Sequence, residues 1–185
     1  MKDKYMIEKR LKSEPIYKGK LLDIYCDKVQ LPDGTTSTRE YTIHPGAVAI
    51  VPILADGRIM LIRQFRYPVG KIMIEIPAGK LDPGEDYLTT ARRELAEEIG
   101  YRAEKFTLLG EINPCVGYSD EHIWICLTED LAPMKNNLDH DEFIELLPVT
   151  LNQAVMMATD GSITDVKTII AILWTERYFS HHSRR

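Results

Sequence analysis

Glu94, Glu97 and Glu98 lie three and four residues apart in a run, Asp86 to Ile99, that contains neither proline nor glycine. On a helix this spacing brings the carboxylates to one patch. Like charges so close repel, and two arrangements relieve them. Water and the adjacent Arg92 or Arg93 can screen them, or a hard divalent cation with a taste for oxygen ligands can bind among them. An acidic helix patch taken alone is most often a solvated face. Arg63 and Arg66 close an apolar stretch that leads towards these residues. A guanidinium fork matches phosphate oxygens in pairs, and ordinary surface arginines are the alternative. His44, His122 and His140 have no partner at metal-binding spacing, and neither a GxxxxGK[ST] P-loop nor a GxGxxG fingerprint occurs. Ser119 and Asp120 are neighbours in sequence and do not constitute a triad.

The glutamates belong to a longer pattern. Gly79 is followed after five residues by Glu85, and after seven more by Arg93-Glu94-Leu95-Ala96-Glu97-Glu98-Ile99-Gly100-Tyr101. From average residue usage, a chance match to the charged and glycine positions is on the order of 10^-8 per window. The pattern resembles the Nudix box, and Glu75-Ile76-Pro77-Ala78-Gly79-Lys80 and Gly117-Tyr118-Ser119-Asp120-Glu121 resemble the branch that hydrolyses ADP-ribose and related nucleoside diphosphate sugars. The resemblance implies Glu94 and Glu98 as principal metal ligands, Glu97 as a third, and the Ala78 carbonyl as a backbone ligand, for Mg2+ or alternatively Mn2+. It matches Glu85 and Arg93 to an ion pair that fixes loop and helix, and sets Arg93 and Glu97 with the catalytic group. Arg66 matches a substrate-contacting arginine. Arg63, Glu75 and Glu121 join it as substrate-site candidates, and Arg39 matches an arginine that reaches a site across a dimer. The catalytic base of this branch lies in a loop well after the box; here Glu142 is the candidate, with Asp141 and Asp139 in reserve, and a solvated acidic loop is the alternative. Leu21 stands where members selective for adenine often carry an aromatic platform, so a wider range of bases is expected. A nucleoside triphosphate pyrophosphatase and a nucleotide-sensing module without catalysis are the competing functions. Intact box glutamates speak against the sensor.

These residues need elements to position them. Leu88, Ala91, Leu95 and Ile99 recur at helical spacing and predict a buried stripe on a helix ending at Gly100. Ala47–Leu54 and Arg58–Arg66 read as strands joined by an Asp56-Gly57 turn, and Ile72–Pro77 as a short strand entering the box. Residues 106–112, 122–127 and 143–147 read as further strands, with helices over 151–158 and 164–179. Ile169, Ile170, Leu173, Trp174 and Tyr178 form the expected stripe of the last helix. This order predicts an α/β fold, a Nudix-type α/β/α sandwich with a mixed sheet. Residues 1–45 read as N-terminal antiparallel strands, including a hairpin over 20–31 and 39–44, and 46–185 as the hydrolase domain. So few residues hold no core of their own, so their apolar members must be covered by the main domain or a second subunit. The resemblance implies a homodimer with composite active sites.

With 185 residues, 44% hydrophobic and 28% charged, the chain has the composition of a globular domain. A net charge of −5 argues against general nucleic-acid or membrane-surface binding. Three cysteines without CxxC spacing fit a reducing compartment, and no apolar run approaches the ~20 residues of a membrane span. Cytoplasmic location is the expectation.

Overall fold

In the computed structural model, which describes residues 5–134 and 143–182, the chain divides into two compact units. The first comprises residues 1–45 with Cys115–His122, and the second Gly46–Pro114 with Ile123–Arg185.

Three antiparallel strands build the first unit: β1 (Lys9–Lys18), β2 (Asp23–Gln30) and β3 (Thr36–Ile43), in that order across the sheet. Asp33 and Gly34 make the β2–β3 turn for separate reasons. The Asp33 carboxylate accepts from the Thr35 amide at 2.9 Å and its hydroxyl at 2.6 Å, while Gly34 takes φ 89°, a conformation glycine adopts without penalty. Residues 115–122 dock on β3, where the Thr42 amide donates to the Tyr118 carbonyl at 2.9 Å and the His44 amide to Asp120 Oδ1 at 2.7 Å. The ten-residue β1 is exposed along its whole length. Alternation of apolar and polar residues therefore left no trace in it, and sequence patterning identifies only its two partners.

The second unit is organised around β4 (Ala47–Pro52), whose six residues are all buried. It pairs in parallel with β10 (Ile123–Thr128) and antiparallel with β7 (Ala78–Lys80), in a sheet of order β7-β4-β10-β9, where β9 is Thr107–Ile112. A second sheet has the order β12-β5-β6, with β5 Ile59–Arg66, β6 Lys71–Glu75 and β12 Ile144–Val149. Two-residue strands β8 (Tyr101–Arg102) and β11 (Ala132–Pro133) pair separately. Helix α1 spans Tyr87–Glu94, α2 Leu151–Thr159 and α3 Val166–His182. Ala49, Val51, Ile59, Leu61, Ile125 and Leu127 pack with Ala154, Ala171 and Ile172 of α2 and α3. Val48, Ile50, Met60 and Ile62 pack with Ala91, Leu95 and Ile99 instead. Alternate residues of β4 and β5 thus bury on opposite sides, which explains why both strands read as unbroken apolar runs. The result is a mixed-sheet α/β sandwich.

Two helices depart from expectation. The box helix is α-helical only to Glu94, and Leu95–Ile99 form a π turn closed by the Gly100 amide on the Leu95 carbonyl, with Gly100 at φ 69°. In α3, Ala171 and Ile172 are fully buried whereas Leu173 is exposed. The expected stripe was displaced because Ile169, Ile170, Trp174 and Tyr178 cover only the margin of the core. No helix among the described residues is long and apolar enough to cross a membrane.

Candidate functional site

Arg93 is the hub of the box. Asp86 caps α1, its Oδ1 accepting from the Thr89 amide at 2.7 Å, and Glu85 just before it accepts from the Thr90 hydroxyl at 2.8 Å. This places Glu85 against Arg93, whose Nη2 donates to Glu85 at 3.3 Å and to the Lys80 carbonyl at 3.0 Å. Its Nη1 donates to Glu94 at 2.8 Å and to Glu97 at 3.0 Å. Burial opposes the charge on Arg93, but the bonds from Glu85 and the carboxylates of Glu94 and Glu97 outweigh it and raise its pKa. One guanidinium thereby ties the 80–86 loop to the helix and neutralises part of the acidic patch.

Glu94 and Glu98 converge on the backbone that enters the box. The Ala78 amide donates to Glu98 Oε2 at 3.0 Å. Glu94 lies so close over Gly79 that a Cβ there would fall 1.7 Å from Glu94 Oε1. Both glutamates are nearly buried, 8% exposed for Glu94 and 3% for Glu98. Among the described residues no group of three or more His, Cys, Asp or Glu stands gathered to hold an ion, and Arg93 bonds both Glu94 and Glu97. The donor set of two glutamates beside the Ala78–Gly79 backbone nevertheless fits a hard divalent cation, which takes carboxylate and carbonyl oxygens. Glu94, Glu98 and Ala78 are the residues that would hold it, with Glu97 available if Arg93 releases it.

Arg66 and Arg63 leave β5 on opposite sides. Arg63 pairs across the ladder with Glu145, its Nη1 donating to Glu145 Oε2 at 2.5 Å. Three residues on, strand alternation turns Arg66 the other way, onto the side of Ile62 and the box helix. The expected arginine pair is therefore not brought together. Arg66 donates through Nε and Nη2 to the two oxygens of Glu75 at 2.7 and 2.8 Å. That bond raises its pKa, and the charges of Glu98 and Asp165 add to the effect. Glu75 is only 2% exposed and also accepts from Lys167 Nζ at 2.5 Å. Burial works to raise the Glu75 pKa, yet Arg66 and Lys167 overcome it and hold the carboxyl down at about 2. Glu75 thus supports Arg66 from a buried position.

In the first unit, Arg39 is exposed and donates to Glu8 at 2.5 Å, Ser37 Oγ at 3.2 Å and the Thr38 carbonyl at 2.9 Å. Glu121 stands 3.7 Å from His44 Nε2. Glu142, with Asp139 and Asp141, lies outside the described residues. Lys167 escaped sequence reasoning. A lone lysine in the first turn of a helix carries no signal until the strand bearing Glu75 is laid beside it.

Comparison with known proteins follows this geometry. Residues 43–169 match the NUDIX domain, and residues 8–42 match the nucleoside diphosphate sugar hydrolase N-terminal domain. The chain is 41% identical over 175 residues to an ADP-ribose pyrophosphatase of Bacillus subtilis, covering 94% of this chain and 95% of that one. It is 40% identical over 171 residues to a methanol dehydrogenase activator of Bacillus methanolicus, covering 91% and 92%. The crystal structure of an ADP compounds hydrolase superposes with a TM-score of 0.86 at 23% identity over 96% of this chain and 97% of that one, which establishes the shared fold. With a family match over most of its length and box glutamates folded onto the Ala78–Gly79 backbone, the chain belongs to the Nudix hydrolases.

Proposed function

We propose that this Nudix hydrolase is a Mg2+-dependent pyrophosphohydrolase of ADP-ribose and related nucleoside diphosphate sugars. The observation that carries the reading is the convergence of Glu94 and Glu98 on the backbone of Ala78 and Gly79, in the unit where Arg66 is braced by a buried carboxylate. Water attacks one phosphorus of the diphosphate and the bridging P–O bond breaks, leaving a nucleoside monophosphate and a sugar phosphate. Glu94 and Glu98, beside the Ala78 backbone, would hold a divalent cation, which would supply charge neutralisation and lower the pKa of water. Arg66 binds and orients the diphosphate with the guanidinium edge that Glu75 leaves open. Arg93 holds the loop and the glutamates in place. Glu142 takes the proton from water, a role that rests on its position in the sequence alone.

We further assign the N-terminal sheet to a homodimer in which Arg39 of one subunit serves the site of the other. Support comes from the exposure of Leu11, Ile16, Tyr17, Leu21 and Leu22 in that unit, a set of apolar side chains that a single copy leaves in water. The cysteines at 26, 115 and 126 all stand free, which suits the reducing cytoplasm. Hydrolysis of a panel of nucleoside diphosphate sugars and nucleoside triphosphates with Mg2+, with products identified, tests the reading. Sugar phosphate and nucleoside monophosphate are expected, with ADP-ribose and at least one substrate bearing another base cleaved within ~10^3-fold of each other, about 4 kcal/mol. Pyrophosphate release from triphosphates alone would establish the competing function.

A further inference from the structure

The first turn of α3 is tied to the strand that carries Glu75. Asp165 caps the helix, its Oδ2 accepting from the Thr168 amide at 3.0 Å, the Thr168 hydroxyl at 2.6 Å and Lys167 Nζ at 3.0 Å. Thr168, fully buried, accepts in turn from the Ile76 amide at 2.9 Å. Lys167 then reaches Glu75 Oε2, the oxygen that also receives Arg66 Nη2. Its side chain is 13% exposed and lies between two carboxylates. We propose that Lys167 is a positioning residue for diphosphate recognition: acting through Glu75, it fixes the direction in which Arg66 presents its open guanidinium edge.

The charges give the reason. Arg66 and Lys167 balance Glu75 and Asp165, so the network is neutral as it stands. Without Lys167 it carries one excess negative charge beside the place where an anionic diphosphate must bind. Glu75 would also lose one of the two cations that compensate its burial, and with it the fixed orientation that makes its bidentate grip on Arg66 worth having. Lys167 spends two of its three donors on the carboxylates of Glu75 and Asp165 and is 13% exposed, so the route by which it bears on the ligand is Glu75 and Arg66.

This inference rests on the reading of the site as a nucleoside diphosphate site, and a double-mutant cycle separates the two. Wild type, Lys167→Met, Arg66→Ala and the double variant are compared for kcat/KM on ADP-ribose and for Kd of ADP-ribose by calorimetry in EDTA. Lys167→Met is expected to lower kcat/KM and weaken Kd roughly tenfold. Arg66→Ala is expected to lose on the order of 10^2-fold, and the double variant no more than Arg66→Ala alone. Lys167→Arg, which retains the charge and reaches Glu75, recovers most of the loss. Should Lys167→Met fail to fold, Lys167→Gln completes the same cycle. Losses that multiply in the double variant overturn the proposal, because Lys167 would then act independently of Arg66. Wild-type values in Lys167→Met overturn it too. A wild type that neither binds nor cleaves any nucleoside diphosphate sugar refutes the functional reading instead, and the positioning role falls with it.

Discussion

Gly79→Ala is the smallest change that should disable the site. The added Cβ would lie 1.7 Å from Glu94 Oε1, 2.0 Å from its Cδ and 2.6 Å from Oε2. Ordinary contact between such atoms begins near 3.5 Å, so the carboxylate must retreat by roughly 1.5–2 Å. Glu94 has little room to do so, being 8% exposed and held by Arg93 at 2.8 Å. The backbone itself does not object, since Gly79 is not among the glycines with positive φ and alanine can adopt its conformation. Any loss is therefore attributable to the displaced carboxylate. A displacement of 1 Å in a catalytic constellation costs about 10^2-fold, and we expect kcat/KM for Mg2+-dependent cleavage of ADP-ribose to fall at least that far. Half-saturation should move to higher Mg2+, because a ligand has been shifted and not removed. Thermal unfolding, run alongside, should show the fold intact. A variant with wild-type kcat/KM and wild-type Mg2+ dependence would refute the placement of Glu94 at the metal site.

Three further outcomes are expected. Glu98→Gln removes a charge from the Ala78 side of the cradle and should lower turnover by ~10^2-fold or more with the fold retained; near-normal turnover at saturating Mg2+ would exclude Glu98 as a ligand. Glu75 has a folded pKa of about 2 against an ordinary 4.5, so the stability it confers is complete above pH 4.5 and is lost as the pH falls towards 2. The stability difference between wild type and Glu75→Gln, measured by urea unfolding, should shrink by roughly 3 kcal/mol across that window, and a difference independent of pH would contradict the buried ion pairs. Light scattering should give about twice the 21.2 kDa chain mass. Mixed Arg39→Ala and Glu98→Gln subunits should regain activity in heterodimers, and a fully active monomer would dispose of the shared site.

How much of this was legible in the residues depends on burial. Strands β4 and β5 announce themselves because both faces are covered, and the turn at Asp33-Gly34 because its chemistry is local. Strand β1 is exposed throughout, and its hydrogen bonds to β2 follow no pattern that side chains record. The π turn over Leu95–Ile99 was equally silent. Leucine, alanine, glutamate and isoleucine suit an α-helix as well, and only the Gly100 amide reaching back to Leu95 reveals the wider turn. It falls on the segment that carries Glu97 and Glu98, where a local departure from regular geometry re-aims side chains.

For the site, sequence separation set the limit. The box spacing predicted that Glu94 and Glu98 act together, and the fold adds that both converge on Ala78 and Gly79. Proximity in sequence misled for Arg63 and Arg66, because three residues along a strand place them on opposite faces and only Arg66 turns towards the box helix. What recruits Arg66 is Glu75, nine residues on, and what braces Glu75 is Lys167, 92 residues beyond that. Neither spacing is periodic in any element. A buried carboxylate is costly unless its charge is compensated, and the ion pairs of Glu75 are the compensation. The same requirement makes the arrangement directional: two cations share one acceptor, the lysine is enclosed by Glu75 and Asp165, and the arginine keeps the donors that remain for an anion.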